Sequence, residues 1–266
     1  MNICVCIKQV PDTNEIKVDP VTHTLVRKGV PSIVNPFDTY AQEVGVRLKE
    51  KLGGKVVVIS MGPEQAKEAI KTCLSVGADA GYLISSRKFG GSDTLATSYI
   101  LSEAIKAVEE KEGLKFDLIL CGKQAVDGDT AQVGPQISEH LGIPVISYAQ
   151  EIQIDGDSVI VKRQYDDRYH MLKAKMPCLI TALSELNEPR YMTPGGIFDA
   201  YKKDITVWGR NDLKDVLDSN LGLKGSPTQI AKASDKVRKG AGEKVVLDPT
   251  ASVNYIVDKL TEKHVL

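Results

Sequence analysis

The segment Leu118–Pro135 reads LILCGKQAVDGDTAQVGP and carries the clearest fold signal in the chain. It begins with a short apolar run, continues through a loop of small and polar residues, and ends where a helical pattern starts. Short, continuous apolar runs are typical of strands that are covered on both faces of a sheet. The stretch therefore predicts one strand–loop–helix unit of an α/β fold.

Similar apolar runs alternate with helical patterns through the first two thirds of the chain. Strands are predicted at residues 2–8, 55–60, 81–85, 118–121 and 144–147. Helices are predicted at residues 35–52, 63–76, 93–110 and 130–141, where apolar residues recur every three or four positions. This alternation predicts a doubly wound, mostly parallel sheet with right-handed crossovers. Ligands of such sheets bind beyond the carboxyl ends of the strands.

The pattern changes after residue 148. Residues 151–154 and 159–164 flank an Asp-Gly-Asp turn and predict an antiparallel hairpin, which 171–175 and 178–182 would extend. A loop is expected at 193–196, an extended linker at 221–229 and a terminal amphipathic helix at 248–263. We expect one domain at 1–200. Residues 201–266 have too few apolar positions for a core of their own and would form an arm that lies on something else.

Composition excludes several classes of protein. The 266 residues carry 34 Lys and Arg against 35 Asp and Glu, a net charge of −1, so no footprint for nucleic acid or anionic lipid is expected. No apolar run approaches ~18 residues, and the N-terminus lacks the pattern of a signal peptide. The odd number of cysteines, five, is typical of reduced, buried thiols. We expect a cytoplasmic protein without membrane insertion, disulfides or a metal site.

The loop within residues 118–135 offers backbone N–H groups and a helix N-terminus, which favour a phosphate or pyrophosphate. Thr130 is placed to cap the helix or to bind a phosphate oxygen, and Gln132 to reach a ribose or base edge. A capped loop without any ligand has the same pattern. Asp127 and Asp129 are compatible with a metal-binding pair, although capping is the simpler role.

Three other segments are also compatible with either a structural role or a nucleotide-binding role. Residues 60–63 (SMGP) and 35–37 (NPF) are helix starts that also suit the approach of a nucleotide. Residues 89–98 (FGGSDTLATS) form a Gly-rich loop that is also compatible with the pyrophosphate loop of ATP-cleaving ligases, although that loop normally follows a first strand. The sequence contains no G-x-G-x-x-G, Walker or H-E-x-x-H motif and no evident catalytic triad. A protein that holds a cofactor is favoured, with no catalytic side chain of its own.

Six short segments together resemble the beta subunit of electron transfer flavoprotein. They are KQVPD at 8–12, NPF at 35–37, SMGP at 60–63, GAD at 77–79, GKQA at 122–125 and LNEPRY at 186–191. The resemblance implies a Rossmann-like, adenine-nucleotide-binding domain with a hairpin extension. It also implies a heterodimer with a larger alpha subunit, on which the C-terminal arm would pack. It assigns the nucleotide site to Cys6, Asn35, Phe37, Asp38, Met61, Gly122, Gln124, Ala125, Asp127, Gly128, Asp129, Thr130, Ala131, Gln132 and Val133.

The family has two branches. In one the site holds structural AMP; in the electron-bifurcating branch it holds FAD, which accepts hydride from NADH. Segments 127–135 and 89–98 resemble the bifurcating branch, which adds Gly90, Gly91, Asp93, Thr94 and Thr97 to the site, although Asp93 could simply cap its helix. The implied partners are ferredoxin or flavodoxin and, through the alpha-subunit flavin, an acyl-CoA or lactate dehydrogenase of the flavin type.

The sequence is also compatible with two functions other than electron bifurcation. One is a non-bifurcating subunit that holds AMP and docks dehydrogenases, with Leu186 entering a pocket of the partner. Its docking residues would be Leu186, Asn187, Pro189, Arg190 and Tyr191, unless this segment is only a proline-rich crossover. The other is an ATP-using enzyme of the same nucleotide fold.

Overall fold

The computed structural model describes residues 1–12, 31–228, 240 and 242–266. The chain divides into two compact units, residues 1–231 and 232–266. The sequence places a division at residue 200. The first unit extends beyond that position because the strand Ile205–Trp208 joins its main sheet.

Within the described residues, the first unit contains one large sheet and one small one. The strands are β1 (Asn2–Ile7), β2 (Gln9–Pro11), β3 (Ser32–Val34), β4 (Lys55–Met61), β5 (Ala80–Ile84), β6 (Leu118–Gly122), β7 (Val145–Asp155), β8 (Ser158–Gln164), β9 (Tyr169–Lys175), β10 (Cys178–Ala182) and β11 (Ile205–Trp208). The large sheet has the order β11-β5-β4-β1-β6-β10-β7-β8-β9, and β2 pairs with β3. Pairing is parallel from β11 to β7 and antiparallel from β7 to β9. The predicted doubly wound, mostly parallel sheet with a hairpin extension is confirmed.

Helices cover both faces of this sheet. They are α1 (Pro36–Leu52), α2 (Lys67–Ser75), α3 (Thr94–Glu112), α4 (Val133–Leu141) and α5 (Pro194–Lys202). In β1 the side chains of Ile3 and Val5 face the core that α1 and α2 cover, whereas Cys4 and Cys6 face the core that α3 covers. The period of two along the strand thus divides the apolar residues between two layers.

Three predictions about the second half of the chain are wrong. Residues 178–182 do not extend the hairpin: β10 lies between β6 and β7 and is parallel to both, because all five of its residues are buried as in a central strand. Residues 193–196 are not a loop but a helix start, since Thr193 Oγ1 accepts the N–H of Gly196 at 3.1 Å and Pro194 opens α5.

The third concerns the expected linker at 221–229, of which Gln229 lies outside the described residues. Leu221 and Ser226 are buried, and the N–H of Gly225 donates to the carbonyl of Leu221 at 2.9 Å. The segment is therefore a packed turn rather than an extended linker. Leu, Gly, Ser and Pro occur in both kinds of structure, and burial decides between them.

The second unit contains α6 (Pro249–Glu262), which confirms the predicted terminal helix. Asp248 caps it by accepting the N–H groups of Thr250 and Ala251. Val253, Ile256 and Val257 lie exposed on this helix. Across the described parts of both units, no helix is long and apolar enough to cross a membrane.

The order of the strands fixes where a ligand can bind. From β1 the chain proceeds outward through β4 to β5, then returns across the sheet to β6 on the other side of β1. The carboxyl ends of β1 and β6 therefore form the topological switch point, which is where open α/β sheets bind their ligands.

Candidate functional site

The floor of the switch point is built by Asp38 in the first turn of α1. Its carboxylate accepts the backbone N–H of Lys8 at 2.7 Å and that of Gly122 at 3.1 Å, so one side chain ties the ends of β1 and β6 together. Burial raises the pKa of Asp38 to about 7, although these hydrogen bonds and one from Asn35 oppose the rise. Asp38 therefore has a structural role at the floor of the site.

Gly122 is the residue at which the floor passes closest to α1. A Cβ placed there would lie 2.4 Å from Asp38 Oδ1 and 2.6 Å from the carbonyl carbon of Phe37. Neither distance is compatible with a side chain, so this position requires glycine because of close backbone approach.

Asn35 organises the next part of the loop and does not cap α1 with its side chain. Its Nδ2 donates to the carbonyl of Gln124 at 2.8 Å, and its Oδ1 accepts the N–H of Val126 at 3.1 Å. The amide is buried and bonded to the loop on both sides. Asn35 occupies the N-cap position of the predicted helix start, but among the described residues its side chain makes no capping bond.

The two loop aspartates have separate partners, one in the residue that follows β1 and one in the loop. Asp127 Oδ1 is 2.6 Å from Lys8 Nζ, and only 3% of the Asp127 side chain is exposed. Asp129 Oδ1 accepts Gln124 Nε2 at 2.7 Å. Within the described ranges, no group of three or more His, Cys, Asp or Glu residues could hold a metal ion. Both carboxylates instead hold the loop in shape.

The loop reaches α4 through a backbone that most residues avoid. Asp129 and Ala131 have φ values of 51° and 53°, in the left-handed region. For alanine this conformation costs roughly 1–2 kcal/mol, and such strain concentrates at functional sites. Thr130, between them, is exposed.

The start of α4 has no side-chain cap among the described residues. The helix begins at Val133 rather than at Thr130, and Gln132, in the N-cap position, makes no side-chain capping bond within the described part of the chain. The first N–H groups of a helix have no partner inside it, and they favour an anion. The donors expected of a phosphate site are therefore present, whereas a capping role for Thr130, Asp127 or Asp129 is wrong.

The loops after β5 and β6 meet at one point. Thr94 Oγ1, in the first turn of α3, lies 3.1 Å from Gln132 Oε1 at the start of α4. Thr97 lies one turn along α3 and is partly buried. Two helix starts that are distant in sequence thus flank the same edge of the sheet.

The Gly-rich loop before α3 is occupied by the chain itself. A Cβ on Gly91, whose φ is 74°, would lie 2.5 Å from Leu223 Cγ. Asp93 caps α3 by accepting the N–H of Ala96 at 3.0 Å, and its other oxygen accepts the N–H of Thr228 at 3.0 Å. Packing of residues 222–228 therefore accounts for the glycine at 91, and capping for Asp93.

Two further predicted site residues lie at the carboxyl ends of neighbouring strands. Cys6 is in register with Cys121 at the carboxyl ends of β1 and β6, and Met61 ends β4. Ser60, next to Met61, is fully buried, and its hydroxyl has no hydrogen-bond partner among the described residues. An orphaned hydroxyl next to the site is compatible with a ligand or water that would complete it.

The sequence did not reveal a cationic and aromatic cluster beside this edge. Lys123 Nζ lies 5.6 Å from the ring centroid of Tyr148 and 5.9 Å from that of Phe37, while the guanidinium of Arg163 is 5.7 Å from the Tyr148 ring. Tyr148 has a φ of 59°. The basic residues come from segments that are far apart in sequence, so the cluster exists only once the sheet is assembled.

The predicted docking segment at 186–191 is fixed on α1. Asn187 Nδ2 donates to the carbonyl of Tyr40 at 2.9 Å. Arg190 pairs with Glu43 at 2.9 Å and with Glu50 at 2.6 Å, and the two carboxylates raise the pKa of its guanidinium. The hydrogen bonds of Asn187 and Arg190 thus have structural partners.

The exposed residues lie further along. Leu186 is partly buried against the core and Pro189 is partly exposed, whereas Tyr191 is 93% exposed. Phe198, which no sequence motif marks, is 72% exposed on α5. The sequence offered one indication of Phe198: it is an aromatic residue on a short helix. Its exposure is visible only in the folded chain.

The fold and this edge define a class: an α/β protein with a switch-point site whose backbone donors suit an anionic nucleotide. The profile of the electron transfer flavoprotein domain matches residues 22–213. The chain is 49% identical over 264 residues, 99% of both chains, to the electron transfer flavoprotein subunit beta of Clostridium acetobutylicum. The chain belongs to the electron transfer flavoprotein family.

Two other relatives carry more specific names. The chain is 47% identical over 268 residues to the caffeyl-CoA reductase-Etf complex subunit CarD of Acetobacterium woodii, covering 100% of both chains. It is 46% identical over 273 residues to the acryloyl-CoA reductase electron transfer subunit gamma of Anaerotignum propionicum, again with 100% of both chains covered. Similarity over full length extends to both units of the fold.

Proposed function

We propose that this chain is the beta subunit of an electron-bifurcating electron transfer flavoprotein and that its switch-point site binds FAD. The observation that carries the proposal is the meeting of Thr94 with Gln132 beside the uncapped start of α4. The loop after β6 offers donors for the phosphate of a mononucleotide. A second helix start beside it gives a dinucleotide a further set of contacts.

Different residues of the site would bind different parts of the FAD. Backbone N–H groups at the start of α4 would bind the phosphates, with the preceding loop held in shape by Asn35 and by the pair of Lys8 and Asp127. Thr94 and Thr97 would bind polar groups of the ribitol, and Gln132 those of a ribose. When bound, the FAD would supply the redox chemistry: it would accept hydride from NADH and release electrons singly to ferredoxin or flavodoxin and to the alpha-subunit flavin.

The names of two relatives support the choice of partner. Both are subunits of enzymes that act on acyl-CoA compounds, caffeyl-CoA and acryloyl-CoA. We therefore favour a flavin dehydrogenase of the acyl-CoA type over the lactate type, docked through Tyr191 and the neighbouring surface of α5. The exposed apolar face of α6 would pack on the alpha subunit, and the assembly would work in the cytoplasm.

A second candidate is the AMP-containing, non-bifurcating subunit. It is favoured by the contact of Leu223 with Gly91, which leaves the Gly-rich loop covered and the switch point as the more open part of the site. The two candidates differ in the nucleotide that the purified complex contains.

The test is a nucleotide count on the complex. The chain is produced together with its alpha subunit, purified without oxygen, and assayed for FAD and AMP after denaturation. Two FAD per heterodimer and bleaching of the flavin absorbance by NADH are expected. One FAD and one AMP, with no bleaching, would reject bifurcation and support the second candidate.

A matched pair of variants connects the count to this site. Thr94→Val removes the hydroxyl that faces Gln132 and should lower the FAD count from two toward one. Thr72→Val, which removes an exposed hydroxyl bonded within α2, should leave it at two. Equal counts in both variants would contradict a role for Thr94.

A further inference from the structure

Two thiols lie side by side at the floor of the switch-point site. Cys6 is the penultimate residue of β1 and Cys121 that of β6, and the two residues are direct partners in the parallel register. Both face the layer covered by α3 and α4. Each is 7% exposed, whereas Cys4, on the same face of β1, is fully buried.

The register favours one pairing among these thiols. Neighbouring strands are ~4.8 Å apart, so the Cα atoms of Cys6 and Cys121 are within the 4.4–6.8 Å that a disulfide spans. Cys4 and Cys6 are two residues apart on one strand, about 6.6 Å, with side chains standing parallel. Because a disulfide needs Cβ atoms roughly 3.5–4.5 Å apart, only the pair across the strands can close with a small adjustment.

The surroundings differentiate the two sulfurs. Hydrogen bonds with the thiols of Cys121 and Cys4 lower the pKa of Cys6 well below its usual value, and the bond with Cys6 together with burial raises that of Cys121. A Cβ on Gly134 would lie 3.7 Å from the Cβ of Cys121, so the first turn of α4 rests on the pair.

We propose that Cys6 and Cys121 form a redox-active dithiol that hydroperoxides oxidise to a disulfide and that a bound nucleotide protects. The protection rests on the proposed function, because a nucleotide on the loop after β6 would cover the remaining exposed area of both residues. The dithiol itself rests only on the register and on the exposure of the two residues.

The chemistry balances with hydrogen peroxide as the oxidant. The Cys6 thiolate attacks one peroxide oxygen, the O–O bond breaks, and the leaving hydroxide takes up a proton to give water and Cys6 sulfenic acid. The Cys121 thiol then attacks the Cys6 sulfur, the S–O bond breaks, and a second water leaves with the thiol proton. Two thiols are oxidised and one peroxide is reduced. A dithiol reductant such as dithiothreitol reverses the step.

The experiment uses the complex with the alpha subunit, in its nucleotide-loaded state and after removal of nucleotide by dialysis against a chaotropic salt. Each sample receives hydrogen peroxide, remaining thiols are alkylated, and the peptides of this chain are identified by mass spectrometry. The depleted complex should yield a linked Cys6–Cys121 peptide that dithiothreitol separates, while Cys73 and Cys178 stay alkylated. Adding AMP or FAD back should slow the linkage at least tenfold.

Cysteine variants test whether the linkage is specific to Cys6 and Cys121. In Cys6→Ser, Cys121 should remain reduced at a peroxide concentration that converts the wild type, whereas Cys178→Ser should form the linkage normally. In Cys121→Ser, Cys6 should accumulate as sulfinic acid, which dithiothreitol does not reverse.

The proposal is overturned if wild-type complex yields no linked peptide, if Cys4 is the partner of Cys6, or if nucleotide does not change the rate. The first two outcomes are independent of the proposed function, whereas the third also tests the nucleotide site on which the protection rests. A complex with AMP in place of the second FAD would reject bifurcation, yet AMP would still be expected to protect the two thiols.

Discussion

The carboxylate of Asp38 and the backbone N–H of Gly122 are joined by a hydrogen bond of 3.1 Å that connects the start of the first long helix with the end of a strand 84 positions later. The contact leaves no room for a side chain on Gly122. The other carboxylate oxygen binds the N–H of Lys8. Asp38 and Gly122 therefore define the floor of the switch point together, and substitutions of either should affect stability and nucleotide content jointly.

Gly122→Ala should destabilise the protein by about 1–3 kcal/mol, since its Cβ would overlap Asp38 and the backbone of Phe37. Displacement of the loop should also reduce bound nucleotide to half or less. Urea denaturation and nucleotide assay of the purified complex measure both effects.

The control for Gly122 is Gly128→Ala in the same loop, because no described atom lies within 4 Å of a Cβ at that position. Its stability should change by less than ~0.5 kcal/mol. Equal losses in the two variants would mean that the tight approach to Asp38 is not what the site depends on.

Asp38→Asn should change how stability depends on pH. The folded pKa of about 7 lies above the value of ~3.9 for an unfolded aspartate, so the folded state binds more protons between pH 4 and pH 7. The free energy of unfolding contributed by this group therefore falls as pH rises through that window and is constant above it. The penalty of Asp38→Asn, measured by urea denaturation, should be larger at pH 5 than at pH 8.

The control for this pH dependence is Asp199→Asn, which removes an exposed carboxylate that pairs with Lys202. Its effect on stability should be small at both pH values. A penalty of Asp38→Asn that is equal at the two pH values, or larger at pH 8, would be incompatible with a raised pKa.

Gly91→Ala should destabilise the protein by about 1–3 kcal/mol, because the residue has a φ of 74° and its Cβ would meet Leu223. Leu223→Ala should relieve the second of these causes, so the double variant should be more stable than the sum of the single losses predicts. Urea denaturation of the four proteins gives the coupling.

A coupling near zero would show that Leu223 does not press on Gly91 in solution. The Gly-rich loop at 89–98 would then be open to a ligand. If Gly91→Ala also lost NADH-dependent bleaching without losing stability, Gly91 would be a direct part of the nicotinamide site. Gly90→Ala serves as the control, since its Cβ would lie 3.3 Å from a single carbonyl oxygen and its φ is not positive.

The sequence was sufficient for the layers of the fold because each strand and helix carries its own periodicity. Residues 118–122 are uniformly apolar and residues 36–52 have an apolar stripe, and both form the expected element. Order within the sheet is different. Residues 178–182 follow a hairpin in the chain but pair with β6, and only long-range packing decides that placement.

The position of residues 118–135 was predictable in the same sense. They do reach the switch point, where Thr94 lies within hydrogen-bonding distance of Gln132. Individual roles were not predictable, because Asn, Asp and Thr can cap a helix or bond to a remote backbone equally well. Asn35 bonds to residues 124 and 126, some ninety positions away, so only the folded chain supplies its partners.

Phe198→Ala should weaken electron transfer to the partner dehydrogenase while leaving nucleotide content and stability unchanged, because its side chain is 72% exposed and contributes little to the core. The expected effect is at least a fivefold higher KM for the dehydrogenase in an assay that couples the two proteins. Tyr191→Ala should act similarly.

Leu52→Ala is the matched control for Phe198, as Leu52 is also an exposed apolar residue but lies at the far end of α1. It should leave the KM unchanged. Should Leu52→Ala and Phe198→Ala raise the KM alike, general surface hydrophobicity rather than a defined docking surface would account for both.

Ala131→Gly should stabilise the protein, opposite to the usual effect of this substitution. Ala131 has a φ of 53°, which costs alanine roughly 1–2 kcal/mol, and glycine avoids that cost but loses about 0.5–1 kcal/mol more backbone entropy on folding. The net gain should be up to ~1 kcal/mol in urea denaturation. The same substitution should weaken nucleotide binding, because the loop before α4 would no longer be held in one conformation. Ala125→Gly, whose φ is not positive, should destabilise instead. If both substitutions destabilise to the same extent, the backbone at residue 131 is not strained in solution, and the loop gains no preorganisation from it.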